Sequence, residues 1–196
     1  MTILYLEQAA GYRTVAVDLP GFGNSGKPTA NSDTDKSAFL SQLITKLEIS
    51  KPVIVSPSYS GYYTLPLLVK NWKLFTGYIP VAPVGQEVVE SLNSCHEPST
   101  TVDNGTIMNE RFNHLPDYFK EQVKNRLPDV SCIKTPALVI HGEYDRSKSS
   151  ALLSLLPNAR TFEIPHGKHP CYLQNPDLFH TVIYDFLLRL VEVERQ

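Results

Sequence analysis

The stretch "VIVSPSYSGYY", residues 53–63, closes an apolar run with serines at alternate positions, Ser56, Ser58 and Ser60. A serine hydroxyl becomes a useful nucleophile on a sharp strand-to-helix turn, where a strained backbone lifts it clear of the sheet. Such an elbow needs small residues two places before and two places after the nucleophile. Ser58 fits the central position. Ser56 and Ser60 stand where the usual G-x-S-x-G has glycines, and Gly61 follows for close approach of the next helix. Pro57 suits the end of a strand, because it biases Ser56 toward extended backbone and offers no amide to a finishing ladder. The plainer reading of the same residues is a polar strand end.

A nucleophilic serine needs a base, and the base needs an orienting carboxylate; on a parallel α/β sheet the three follow in the order Ser, Asp or Glu, His. "HGEYD", residues 141–145, follows an apolar run, and a loop leaving the carboxyl end of a strand can aim an acid at the top of the sheet. Asp145 is the candidate acid. Glu143 is its competitor, but the longer reach to Asp145 after Gly142 suits a side chain that must cross toward a histidine. "PHGKHPCYL", residues 165–173, supplies two candidate bases, His166 and His169. The pattern would support attack on an acyl carbonyl, with the backbone N–H of Tyr59 as one donor to the oxyanion.

These residues have to be positioned by a sheet, and the chain reads as one. "TVAVD" (Thr14 to Asp18), "PVIVS" (Pro52 to Ser56), "GYIPVA" (Gly77 to Ala82), "ALVIH" (Ala137 to His141) and "RTFEI" (Arg160 to Ile164) are short β-rich runs. Most lack strict alternation, which suits strands buried on both faces of a parallel sheet. Helical spacing of Phe39, Leu40, Leu43, Ile44 and Leu47 follows the turn-forming "LPGFGNSGKP", with Ser32 and Asp33 as cap candidates. Further helices are expected at Ser149 to Leu156 and at Asp177 to Val193; the latter carries one apolar stripe, Phe179, Val182, Ile183, Phe186, Leu187 and Leu190. The fold class is α/β, a mostly parallel sheet with flanking helices, in a single domain spanning residues 1–196. Between Gly85 and Ser131 the pattern breaks into a polar, proline-bearing stretch, an irregular insertion at about 85–131 with one helix candidate at Asp117 to Leu127.

Composition narrows the function classes. The chain has 196 residues, 42% hydrophobic and 19% charged, with a formal net charge of −2, enough apolar residues for one sizeable core. No basic run or interleaved aromatic patch points to nucleic acid. No segment reaches the roughly 18 apolar residues of a membrane span, and no signal peptide is legible at the N-terminus. A cytoplasmic protein is the expectation. Cys95, Cys132 and Cys171 make an odd count without CxxC spacing, which argues against a disulfide framework or a zinc site and for structural thiols.

"GYRTVAVDLPGFGNSGK", "VIVSPSYSGYYTLPLL", "PVAP", "KTPALVIHGEYD" and "HPCYL" together resemble the alpha/beta-hydrolase-domain-containing 14 family, the "DLPGFGNS" loop being closer to its A member. The resemblance covers most of the chain outside residues 85–131. It implies an α/β-hydrolase fold and a triad of Ser58, Asp145 and His169, which selects His169 over His166. It also implies acyl chemistry on short acyl esters, thioesters or acetylated amines, acetylated lysine among them. No cofactor or metal is implied, although coenzyme A can serve as acyl acceptor for the family's B member.

The chain departs from the family pattern in three ways. Lys168 stands where the family has glycine before its histidine, and residues 85–131 replace a short link. The family's oxyanion loop, an HG sequence after an earlier strand, should precede "TVAVD", yet only thirteen residues come before Thr14. Family topology also puts a further strand between those at Thr14 and Val53. An N-terminally truncated hydrolase is therefore expected, with weakened turnover. The alternative is a catalytically impaired or non-catalytic binding protein on the same fold.

Overall fold

A computed structural model of the protein describes residues 11–26, 33–83, 131–145, 156 and 158–194. Among these, four strands form one sheet in the order β1 (Val53–Pro57), β2 (Gly77–Val81), β3 (Ala137–Gly142) and β4 (Ala159–Ile164). Every neighbouring pair is parallel, with Val53 opposite Gly77, Tyr78 opposite Ala137 and Ala137 opposite Ala159. All carboxyl ends therefore point the same way, and the loops after β1, β3 and β4 all leave from that one end of the sheet.

β2 and β3 are buried at every position, which is why their sequences read as unbroken apolar runs. Successive side chains feed opposite faces. Tyr78 and Ala137 join Leu40 and Ile44 of helix α1 (Asp33–Lys46) and Leu65 and Leu68 of α2 (Gly61–Asn71) on one side. Ile79, Val81, Leu138 and Ile140 meet Phe179, Ile183, Phe186 and Leu190 of the last helix on the other. That helix, Pro176–Glu194, is preceded by one short turn of helix, Cys171–Gln174; they are α4 and α3 respectively. The stripe expected from the spacing of apolar residues in α4 is the face it buries.

The segment 14–18 corrects the sequence reading. It forms no strand, and Val15 and Val17 are 41% and 39% exposed. β-rich composition reports a residue's fitness for a pleated surface, but a strand exists only with a partner to take its backbone hydrogen bonds. Cysteine spacing misled as well. Cys132 is disulfide-bonded and only Cys171 is a free, buried thiol among the described residues, because spacing along the chain does not report which sulfurs approach in space. Ser32, the expected helix at Ser149 to Leu156 apart from the buried Leu156, the insertion at 85–131 apart from Ser131, and Cys95 lie outside the described residues.

Candidate active site

β1 ends at Pro57 in extended conformation, φ −79° and ψ 134°, and the chain then reverses through Ser58 at φ +44°. A non-glycine residue in the left-handed region costs on the order of 1–3 kcal/mol, so something must hold it there. One tight turn, Ser58–Ser60, leads directly into α2. Beneath the turn lies a group of buried hydroxyls. Thr64 Oγ1 donates to the Ser60 carbonyl at 3.2 Å, and the same oxygen lies 2.7 Å from Ser56 Oγ and 3.0 Å from the Tyr78 hydroxyl. With its one proton spent on Ser60, Thr64 accepts from the other two. Burial pushes the Tyr78 phenol up to about 12, so it keeps the proton it donates. Ser56 thus does more than stay small: it ties the end of β1 to α2 and β2.

Asp145 closes the turn Glu143–Asp145 after β3, and His169 lies on the loop after β4. Asp145 Oδ2 is 2.7 Å from His169 Nδ1, and His169 Nε2 is 2.7 Å from Ser58 Oγ. A carboxylate can only accept, so Nδ1 carries the imidazole proton and Nε2 is left to accept from the Ser58 hydroxyl. The Asp145 side chain is 8% exposed and that of His169 45%, so the carboxylate is sheltered while the imidazole is open to solvent. The two loops interlock. A Cβ on Gly142 would run into the backbone of Gly167 and Lys168, and Tyr144 N–H donates to Gly167 O at 3.0 Å. Lys168, the departure from the family's glycine, is exposed, and its N–H donates to Gln174 Oε1.

The two competitors weighed from the sequence are absent from this chain of hydrogen bonds and meet each other. His166 N–H donates to Glu143 Oε2 at 2.8 Å, with the His166 ring Nδ1 3.5 Å from the same oxygen. Cys171, two residues past His169, is no rival nucleophile: burial, with Asp145's charge adding to it, pushes its thiol up to about 11. Tyr59, whose N–H follows the serine, presents an exposed ring against Phe22 and Tyr62, with centroids 5.0 and 4.8 Å away. The Lys36 ammonium lies 5.5 Å from the centre of the Tyr62 ring. Sequence reading missed Thr64, Tyr78 and this aromatic ledge; the Ser60-to-Thr64 spacing of one helical turn was the available signal for the first. Among the described residues no group of three or more His, Cys, Asp or Glu could hold a metal, and no helix is long and apolar enough to cross a membrane.

No protein-family model matches the chain. Among solved structures it is similar to the esterase RhEst1 of Rhodococcus sp. ECU1013, at 17% identity and a TM-score of 0.69, covering 97% of this chain and 85% of that one. It is also similar to the meta-cleavage product hydrolase CumD of Pseudomonas fluorescens IP01, at 17% identity and a TM-score of 0.67 over 96% and 84%. Both share its fold, an α/β-hydrolase sheet with flanking helices. Protein relatives come nearer. ABHD14B of Rattus norvegicus, by its name a candidate protein-lysine deacylase, is 34% identical over 186 residues, 92% of this chain and 71% of the relative. ABHD14A of Homo sapiens is 32% identical over 188 residues, 94% of this chain and 56% of the relative. Identity at this level across nearly the whole chain, on the same fold, is what the sequence blocks around Ser58, Asp145 and His169 foreshadow, and the chain belongs to the alpha/beta-hydrolase-domain-containing 14 family.

Proposed function

We propose that the chain is a serine hydrolase or acyltransferase working through an acyl-enzyme on Ser58, with His169 as base and Asp145 as orienting acid. The observation that carries this reading is the unbroken pair of 2.7 Å hydrogen bonds from Ser58 through His169 to Asp145, starting at a serine with φ +44°. Ser58 Oγ attacks the carbonyl carbon of an ester, thioester or amide as its proton passes to His169 Nε2. Asp145 stabilises the imidazolium that forms without taking its proton. The tetrahedral oxyanion accepts from the Tyr59 N–H. Collapse breaks the bond to the leaving group, which departs with the proton held on Nε2. Water, or a thiol such as that of coenzyme A, then attacks the acyl-enzyme by the reverse sequence. Short acyl esters and acetylated lysine are the substrates to try first, the second on the strength of the relatives' name.

A fluorophosphonate probe tests this directly. It should label the purified chain on Ser58, and Ser58→Ala should abolish labelling and lower short-ester turnover by about 10^4-fold or more while the melting temperature stays nearly unchanged. Labelling that persists in Ser58→Ala removes Ser58 as nucleophile.

A further inference from the structure

The turn carrying Asp145 and the loop carrying His169 are joined by a second tie that the chemistry above does not use. Glu143 stands two residues before the acid and His166 three residues before the base. His166 sits at φ +56°, a left-handed conformation that is uncommon outside glycine though better tolerated by histidine than by most side chains, so a partner that fixes its amide helps to hold the turn. What meets its amide there is the Glu143 carboxylate, accepting the His166 N–H at 2.8 Å. Next along the chain comes Gly167, whose backbone lies against Gly142, so the Glu143 bond and the glycine contact bracket the start of the loop.

We propose that Glu143 is a positioning residue: by accepting the His166 N–H it fixes the backbone that delivers His169 to Asp145 and Ser58. Its kinetic consequence rests on the acyl-transfer reading. The tie works through the peptide and not through the His166 ring, which is almost fully solvent-facing and 3.5 Å from the carboxylate, too far for a hydrogen bond and well screened. If the acceptor is lost, His166 can relax toward negative φ, and the rotation passes down the chain to His169. Displacements of about 1 Å at a reacting group are enough to lower rate up to about a hundredfold.

Glu143→Ala should lower kcat about tenfold with KM within about twofold, and Glu143→Ser, which has no acceptor at that reach, should do the same. Glu143→Gln keeps an oxygen acceptor and should restore kcat to within about threefold of the parent protein. His166→Ala keeps the N–H and should also stay within about threefold. Independently of turnover, the downfield NMR resonance of the His169 Nδ1 proton should be sharp in the parent protein and in Glu143→Gln and broadened or lost in Glu143→Ala. Full activity and an unchanged resonance in both Glu143→Ala and Glu143→Ser would overturn the proposal, as would failure of Glu143→Gln to restore either. A parent protein with no turnover and no probe labelling, whose resonance nonetheless follows this pattern, would sink the acyl-transfer reading and leave the positioning role standing.

Discussion

Asp145 and His169, the proposed acid and base, are held by ties that run from loop to loop beyond β3 and β4, whereas Ser58, the proposed nucleophile just after β1, is held from beneath by hydroxyls of its own neighbourhood. On the first side, β3 is buried throughout and Gly142, Tyr144, Gly167, Glu143 and His166 knit the two loops together. On the second, Val55 in the middle of β1 is 40% exposed, and Ser56, Thr64 and Tyr78 anchor only the strand's carboxyl end. Accuracy at the base therefore depends on two distant segments agreeing. Accuracy at the nucleophile depends on one short turn keeping its strained conformation.

The largest effect expected of breaking that contrast is at the acid. Asp145→Asn keeps the shape and can still hydrogen-bond the ring, but favours the tautomer in which Nε2 carries the proton and can no longer accept from Ser58; kcat toward a short acyl ester should fall by about 10^4-fold. Turnover reduced only a few-fold would mean that another carboxylate orients His169. Gly142→Ala comes next. Its Cβ meets backbone, not a flexible side-chain end, so the loops must separate, with a stability loss of about 1–3 kcal/mol and a parallel fall in kcat. A variant that melts earlier yet keeps full turnover would show that the interlock supports the fold and not the site.

Tyr78→Phe probes the nucleophile side. Thr64 keeps Ser56 and the Ser60 carbonyl as partners, so the cost should be near 1 kcal/mol with little change in turnover. It should also change the alkaline limb of stability. The Tyr78 phenol is raised by burial to about 12 from an ordinary value near 10, so the unfolded chain loses that proton first. Stability from this group is complete below about pH 10 and is lost as pH rises toward 12. Denaturant titrations over that range should fall less steeply for Tyr78→Phe than for the parent protein, whose Cys171 adds a similar loss between about 9 and 11. Equal slopes would place Tyr78 in contact with water. The smallest effect is at the exposed position of β1, where Val55→Thr should shift stability by no more than about 0.5 kcal/mol, against about 1–3 for Val139→Thr inside β3, which buries a hydroxyl without a planned partner.

Much of the fold was legible because burial on both faces leaves a direct mark on sequence. β1 to β4 begin and end within a residue of the runs from Pro52, Gly77, Ala137 and Arg160, and the apolar stripe of α4 names the residues it buries. The turn at Ser58 was legible because Ser56, Pro57, Ser60 and Gly61 suit a sharp reversal there; the structure gives Ser58 φ +44° and sets His169 and Asp145 in hydrogen-bond sequence with it, the geometry on which the proposed roles rest. The errors share one cause. Residues 14–18 and Cys132 were judged from composition and spacing, but pairing of a strand or a sulfur is settled by what lies beside it in space. The same limit hid the meeting of Glu143 with His166, two residues that looked like rivals for roles and proved to be partners.

The span between the two ends of the Ser58–His169 bond, 111 residues, has a consequence for how activity is acquired. Pairing of β1 with β2 closes a short loop, whereas β2 reaches β3 only after the chain from Val81 to Ala137 has been drawn together, at an entropic cost that grows with its length. Contacts of such high sequence separation form slowly relative to helices. On refolding from denaturant, helical signal should therefore return first and ester turnover last, in step with docking of β3 and β4. The hydrogen-bonded triad would then serve as a clock for the final stage of folding, read by a substrate in place of a spectroscopic probe.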